Sequence, residues 1–303
     1  MLTRFRYLAL LPLVATLTAC NMVVLNPTGD VAAQQRNLLV QSTWLMLLII
    51  VPVMVLTVWF AWRYRESNRT ADYDPHWSHS TRLELVIWAA PLLIIICLGA
   101  LTWLGTHLLD PYRPLDRISV GKPLARDARA LRVEVVALDW KWLFIYPEQG
   151  VATVNELAVP VDRPVALSIT ASSVMNSLYI PHFAGQVYAM PGMETKLHGV
   201  LNKAGESQGF SANYSGAGFS GMRLTLRGLT EPDFDRWVNE TRAGKESLTR
   251  GSYLQLARPS ENEPRRRYAR VDADLYQAIL NLCVEPGKMC MNDMMAQDAK
   301  GKK

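Results

Sequence analysis

The stretch 213–222, "NYSGAGFSGM", has the glycines and the closing methionine of a loop that could surround a copper ion. A copper centre of this kind needs cysteine thiolates, and imidazole nitrogens complete its coordination. The stretch contains neither residue, and no cysteine occurs between Leu108 and Leu282. Met222 is the soft ligand that remains, and one thioether cannot hold the ion. The sequence therefore argues against thiolate-copper chemistry at this loop.

Other residues that could do chemistry are few. His182 and His198 are expected to be surface or hydrogen-bonded structural histidines. Cys283 and Cys290 predict a disulfide in an oxidising compartment, and a soft-ligand Cu(I) site formed with the methionines that follow them is the alternative. No Ser/His/Asp triad and no glycine-rich phosphate loop is present.

The first residues carry a targeting pattern. Arg4 and Arg6 precede an apolar run that is too short to span a bilayer, and small residues then lead to Cys20. We interpret residues 1–19 as a signal peptide. The sequence Leu17–Cys20 resembles a bacterial lipoprotein box, so Cys20 is predicted to carry lipid; a buried or free cysteine is the alternative.

Two apolar runs follow, and each is close to the length that crosses a hydrocarbon core. They predict transmembrane helices at 43–62 and 83–106, connected as a hairpin. With Cys20 on the outer face, residues 20–42 form a lipidated periplasmic segment and residues 63–82 a cytoplasmic loop. The arginines of that loop agree with the positive-inside tendency. The chain would lie in a bacterial inner membrane, with its main domain in the periplasm.

After residue 107 the pattern changes to short alternating strands punctuated by Gly, Pro, Asn and Asp, which predicts an all-β sandwich over 107–228. Residues 229–290 are expected to be helical and rich in aromatics, with Thr230 as an N-cap. Residues 291–303 are a tail, predicted to be disordered from residue 296. The basic cluster 265–267 is interpreted as a solvated loop, and a net charge of +5 gives no indication of nucleic acid binding.

The order of these elements, with "LDWKWLFIYPEQGVATVNELAVP" and "VMNSLYIPHFAGQVYAMPG" upstream of the loop, resembles subunit II of the haem-copper oxidases. In copper-containing members of that superfamily the β domain is a cupredoxin with a dinuclear copper centre that accepts electrons from cytochrome c. Alignment on Met222 places other residues where the remaining ligands belong: Asn176, Ser211, Asn213, Ser215 and Phe219. The fold implied is therefore a cupredoxin-like sandwich without copper.

The loss of the copper ligands resembles the quinol oxidase branch, specifically the bo-type ubiquinol oxidases. The resemblance implies a complex that oxidises ubiquinol, reduces oxygen to water and pumps protons. Haems, copper and the quinol site would belong to subunit I, and this chain would hold no cofactor. Subunit I, subunits III and IV and membrane lipid are the expected partners, and cytochrome c is not. A copper electron-transfer subunit and a free-standing lipoprotein are the alternative functions.

Two further features have alternative interpretations. Glu84, at the cytoplasmic mouth of the second span, corresponds to a glutamate where protons enter a channel in the family; the alternative is a capping box with Thr81 as N-cap. Trp140 and Trp142 are predicted to lie on one face of a strand. Matching aromatics lie near the point where copper-containing relatives accept electrons, but core or subunit-interface packing is the favoured interpretation here.

Overall fold

The computed structural model describes residues 22–72, 74–125 and 128–301. The predicted signal peptide and the lipidation site at Cys20 lie outside these residues. The chain divides into two compact units, of which one comprises residues 34–110 and the other the remainder.

Two long helices dominate the first part of the chain: α1 spans Asp30–Arg63 and α2 spans Thr81–Leu108. Both are apolar and long enough to cross a membrane, and their apolar side chains are exposed. The predicted spans lie inside these helices. Helix α1 begins at Asp30, well before residue 43. The sequence prediction missed its first turns because they contain several polar residues, and hydropathy detects only the apolar part of a helix. A Cβ atom added at Gly105 would lie 2.9 Å from the Leu38 side chain, so the hairpin helices approach closely there.

The domain that follows is a sandwich of two main sheets. Its strands are β1 Arg117–Ser119, β2 Lys122–Pro123, β3 Leu131–Leu138, β4 Lys141–Tyr146, β5 Val151–Val154, β6 Glu156–Pro160, β7 Pro164–Ala171, β8 Asn176–Tyr179, β9 Val187–Ala189, β10 Thr195–Val200, β11 Gly205–Ser211, β12 Arg223–Leu229, β13 Ser247–Leu248, β14 Arg266–Tyr268 and β15 Arg270–Val271. A six-stranded sheet has the order β10-β7-β3-β4-β5-β14, and a five-stranded sheet has the order β6-β12-β11-β8-β9. The predicted fold, two apolar helices followed by a cupredoxin-like sandwich with C-terminal helices, is confirmed.

The C-terminal region contains four helices: α3 Glu231–Arg242, α4 Arg250–Leu256, α5 Leu275–Leu280 and α6 Met291–Gly301. Thr230 is the N-cap of α3, as predicted, and its hydroxyl accepts a hydrogen bond from the backbone N–H of Asp233. The expectation that the tail is disordered from residue 296 is wrong for residues 296–301, because they continue α6. The sandwich also extends past residue 228, since β14 pairs with β5 at the edge of the six-stranded sheet.

Strand β3 shows how the C-terminal region is held. Its alternate residues Leu131, Val133 and Val135 are buried on one face, between the sheets. Val136 and Leu138, on the opposite face, belong to a second hydrophobic cluster with residues of the C-terminal region: Leu248, Tyr253, Leu256, Tyr268, Leu275, Tyr276, Ala278, Ile279, Cys283 and Val284. The C-terminal region is therefore a third layer on the six-stranded sheet.

A buried carboxylate connects these layers. The Glu156 side chain is 3% exposed and is paired with Arg227, at 3.0 Å, and with Arg267, at 2.8 Å. The indole N–H of Trp237 also donates to Glu156, at 3.3 Å. Arg267 was expected in a solvated loop, and that expectation is wrong because it lies in β14 and supplies a partner for a buried charge. Burial alone raises the pKa of Glu156, but hydrogen bonds from Arg267 and Arg227 outweigh burial and lower it below its usual value.

Replacing Arg267 with leucine should lower the free energy of unfolding by about 3 kcal/mol, because it leaves a buried carboxylate short of a partner. Urea unfolding of the detergent-solubilised chain, followed by tryptophan fluorescence, measures this. Arg236→Leu is the control; its ion pair with Asp233 is exposed, so the loss should stay below about 1 kcal/mol.

Acidification should remove the same stabilisation. Since the folded-state pKa of Glu156 is lowered, its contribution is present above the usual glutamate range and lost as pH falls through the folded-state pKa. Wild-type stability should therefore decrease in acid more steeply than that of Glu156→Gln, compared over the same pH series. Parallel curves would contradict the assignment.

Candidate functional site

The loop that resembles a copper site connects β11 with β12. It leaves β11 at Ser211 and closes with a short 3₁₀ helix, Phe219–Gly221, before Met222. The backbone N–H of Ser211 donates to the Met222 carbonyl at 3.1 Å, so the two ends of the loop meet. Met222 is 1% exposed and belongs to the core. The loop is thus closed by its own backbone.

Hydrogen bonds hold three of the polar side chains at the positions that alignment matches to copper ligands: Asn176, Ser211 and Asn213. Asn176 and Ser211 are both buried, and the Ser211 hydroxyl donates to the Asn176 side-chain carbonyl at 3.2 Å. The Asn176 amide donates to the carbonyl of Val174 at 3.1 Å. The Asn213 amide donates to the carbonyl of Met175 at 3.2 Å. The bonds from Ser211 and Asn213 connect the end of β11 and the loop after it with the start of β8 and the residue before it.

Of the other two aligned positions, Phe219 carries an aromatic ring and Ser215 carries a hydroxyl. The ring of Phe219 packs edge-on against Tyr214, with centroids 5.7 Å apart. The Ser215 and Ser177 hydroxyls are buried and have no hydrogen-bond partner among the residues described. These positions therefore hold amide and hydroxyl groups, of which Asn176, Ser211 and Asn213 are hydrogen-bonded, and one ring contact.

These donors do not fit a dinuclear copper centre. Such a centre needs bridging thiolates and imidazoles, whereas Asn176, Ser211 and Ser215 offer neutral hard oxygens and Phe219 offers no ligand atom. Within residues 22–72, 74–125 and 128–301, no group of three or more His, Cys, Asp or Glu side chains is arranged to hold a metal ion.

Trp140 explains why the loop keeps its glycines. A Cβ atom on Gly218 would lie 2.5 Å from the Trp140 ring, and one on Gly216 would lie 3.0 Å from it. The indole N–H of Trp140 donates to the Ser215 carbonyl at 3.0 Å. The loop is therefore shaped to receive this ring.

The prediction that Trp140 and Trp142 share a strand face is wrong. Trp140 occupies the turn between β3 and β4, with a φ of 66°, whereas Trp142 is fully buried in β4. The turn interrupts the strand, so Trp140 and Trp142 do not follow the two-residue alternation of side chains along a single strand. Sequence periodicity could not detect this interruption.

The two histidines of the sandwich make backbone hydrogen bonds. His182 Nδ1 lies 2.9 Å from the Asn26 carbonyl, and its own carbonyl accepts from the backbone N–H groups of Thr28 and Gly29. His198 Nδ1 lies 3.1 Å from the Pro111 carbonyl. Both are hydrogen-bonded structural histidines that fix segments flanking the apolar helices.

Cys283 and Cys290 form a disulfide, with Cα atoms 4.8 Å apart. The thiolates that the Cu(I) alternative requires are thus consumed. The disulfide closes the segment that leads into α6, and Met291 at its start packs on Gly192.

At the start of α2, Glu84 pairs with a histidine. His79 Nδ1 lies 2.7 Å from a Glu84 carboxylate oxygen, and His79 Nε2 lies 3.1 Å from the Thr81 hydroxyl. The N-cap is Ser80, not Thr81, so the capping-box interpretation is wrong. Both side chains are about half exposed. Sequence reasoning missed His79, although a histidine five residues before the glutamate, in the loop that precedes the helix, was a detectable signal.

Residues 242–287 match the family model described as the COX Aromatic Rich Motif. The chain is 49% identical over 265 residues to the cytochrome bo(3) ubiquinol oxidase subunit 2 of Pseudomonas putida, covering 88% of this chain and 82% of that protein. It is 45% identical over 264 residues to the ubiquinol oxidase subunit 2 of Acetobacter aceti, covering 87% and 83%.

Among solved structures, the periplasmic domain of subunit II of cytochrome oxidase from Bradyrhizobium japonicum is similar, with 22% identity and a TM-score of 0.36. That match covers 37% of this chain and 94% of the other.

Introducing cysteine and histidine at the aligned ligand positions should give the loop the ability to bind copper. In the variant Asn176→His, Ser211→Cys, Ser215→Cys and Phe219→His, two thiolates and two imidazoles return to a loop whose backbone path is intact. We expect visible thiolate-to-copper absorption after Cu(II) is added. The same variant with both serines kept is the matched control and should remain colourless. A colourless full variant that folds normally would show that the loop has lost its copper-binding shape.

Proposed function

This chain belongs to the cytochrome bo(3) ubiquinol oxidase subunit 2 family, and on that premise we propose that it is the copper-free subunit II of a proton-pumping ubiquinol oxidase. The complex oxidises ubiquinol and reduces oxygen to water. Haems and copper reside in subunit I, and this chain contributes no redox centre. The observation that carries the proposal is the loop 211–222, whose backbone is closed and whose ligand positions hold amides, hydroxyls and a ring.

Electron transfer explains why such a loop suffices. A soluble protein donor must deliver electrons to a centre near the surface, and a dinuclear copper site serves that purpose. Ubiquinol dissolves in the membrane and can reach a site in subunit I without crossing the β domain. The β domain then needs its shape for contact with the complex but needs no metal for electron transfer. Cytochrome c is not an electron donor in this proposal.

The surfaces of the chain support a structural role. Both long helices expose apolar side chains along most of their length, which suits contact with lipid and with subunit I. The three-layered β domain caps the complex from the periplasm. Subunits III and IV complete the assembly.

Orientation in the inner membrane follows from the lipid anchor. Acylation of Cys20 on the outer face places residues 20–42 in the periplasm, residues 63–82 in the cytoplasm and the domain after residue 107 in the periplasm. Arg63, Arg65, Arg69 and Arg82 on the cytoplasmic loop agree with the positive-inside tendency.

Glu84 would collect protons at the cytoplasmic mouth of α2 for a channel in subunit I. The His79 ring, 2.7 Å from its carboxylate, gives it a second group that can bind and release a proton. Both side chains are half exposed, so water reaches them. The pair therefore has the chemistry that proton collection requires.

The function is tested by oxygen consumption of the complex captured through a tag on this chain in mild detergent, with ubiquinol and reduced cytochrome c offered separately. We expect haem to copurify and ubiquinol alone to support turnover. Turnover with cytochrome c would favour a copper electron-transfer subunit. Capture without haem, from membranes that contain intact oxidase, would favour a free-standing lipoprotein.

Glu84→Gln should lower ubiquinol-driven oxygen consumption several-fold, because the amide cannot bind and release a proton at the mouth of α2. Glu84→Asp should retain more activity, since it keeps a carboxylate. Glu66→Gln, an exposed glutamate of the cytoplasmic loop, is the matched control. Equal turnover of Glu84→Gln and Glu66→Gln at unchanged haem content would remove Glu84 from the proton path.

A further inference from the structure

Strand β3 carries a glutamate at the border of the third layer. Alternation places Arg132, Glu134, Val136 and Leu138 on the face of the sheet that the C-terminal region covers. Val136 and Leu138 are fully buried beneath that region, whereas Arg132 is exposed. Glu134 lies between them, where the cover ends, and is half-buried.

A cavity of about 350 Å³ opens at this border. Neighbouring strands bring polar residues to it in register: Glu134 pairs with Ser168 of β7, and Ser168 pairs with Lys196 of β10. The titratable and charged groups that face the cavity, from every element around it, are Arg132, Glu134, Glu194, Lys196, His198 and Tyr276. The site is thus a mixed cluster in which two carboxylates share one half-buried space.

Helix α5 is attached through this cluster. Tyr276 is 3% exposed, and its hydroxyl donates to a Glu194 carboxylate oxygen at 3.3 Å. Tyr276 also belongs to the hydrophobic cluster that joins the C-terminal region to the sheet. The contact of α5 with the sandwich therefore ends in a hydrogen bond to one of the two carboxylates.

The charge of Glu134 depends on this environment. Burial, and then the negative charge of Glu194, raise its pKa to about 7, while Arg132 opposes them. The Arg132 guanidinium is partly engaged elsewhere, since it donates to Glu148 at 3.1 Å. His198 is turned to the Pro111 carbonyl. Glu134 therefore changes charge near neutral pH beside the anchor of α5.

We propose that Glu134, Glu194 and Tyr276 form a proton-dependent latch that holds helix α5 of the aromatic-rich region on the β sandwich. With a proton on Glu134, the Glu194 carboxylate faces a neutral acid, and the Tyr276 hydroxyl donates to Glu194. Loss of that proton leaves a negative charge on Glu134 in the half-buried space beside the Glu194 carboxylate, and the burial of this charge, together with the repulsion, loosens α5. The ligand of this site is a single proton.

The direction of the effect follows from linkage. Because the proton is bound more tightly when α5 is attached, attachment is strongest below the usual glutamate pKa and weakens as pH rises through about 7. One proton can change the attachment constant by at most about tenfold per pH unit. In the proposed topology the latch faces the compartment that receives pumped protons, so turnover would tighten it; that consequence alone rests on the proposed function.

Hydrogen exchange measured by mass spectrometry on the full chain in detergent, at a series of pH values from 5.5 to 8.5, tests the latch. Rates are converted to protection factors to remove the intrinsic pH dependence. We expect protection of peptides from 272–284 to fall several-fold between pH 5.5 and 7.5 and to level off above. Peptides of α3 provide the internal control. The test needs no enzymatic turnover, so its failure is separable from failure of the proposed function.

Glu134→Gln should keep α5 protected at every pH, because the amide resembles the protonated acid. Glu194→Gln should reduce the pH dependence, because it removes the repelling charge. Glu240→Gln, an exposed glutamate on α3, is the matched control and should behave as wild type. Wild-type protection that does not vary with pH, or a pH dependence that persists in both cavity variants, would overturn the proposal.

Discussion

The buried carboxylate of Glu156 is the interaction on which the architecture depends. It lies in β6 of the five-stranded sheet and is held by Arg227 of β12, Arg267 of β14 and Trp237 of α3. These partners come from the sandwich, from the strand that extends it and from the C-terminal helices. A buried charge tolerates no missing partner, so one side chain fixes how three parts of the domain meet. The aromatic-rich region is consequently a layer of the fold and not an appendage.

In the loop 211–222, the path of the backbone does not depend on metal ligands. In this chain the loop is fixed by its backbone closure, by the Trp140 ring against Gly216 and Gly218, and by hydrogen bonds of Asn176 and Ser211. Each of these contacts joins one part of the protein to another. In the proposed assignment the ligands can therefore be absent while the domain keeps the surface that the complex needs.

The local patterns of the sequence predicted much of this. Apolar length predicted the helices, alternation predicted the sandwich strands, and Thr230 predicted the start of α3. Contacts between residues that are distant in the sequence could not be predicted. Arg267 pairs with Glu156, for example, only because β14 lies beside the sandwich, more than 100 residues further along the chain. The same limit applies to Trp140, where a left-handed turn interrupts the strand, and to the start of α2, where the N-cap is Ser80 and not the Thr81 that motif spacing indicated.

The central claim is that this subunit has the path of a copper loop and holds no copper. The most direct test is the native mass of the subunit, released in the gas phase from the purified, haem-containing oxidase that consumes oxygen with ubiquinol. The account predicts the mass of the processed, lipidated chain without metal. A mass increased by one or two copper ions that mild chelation does not remove would contradict it.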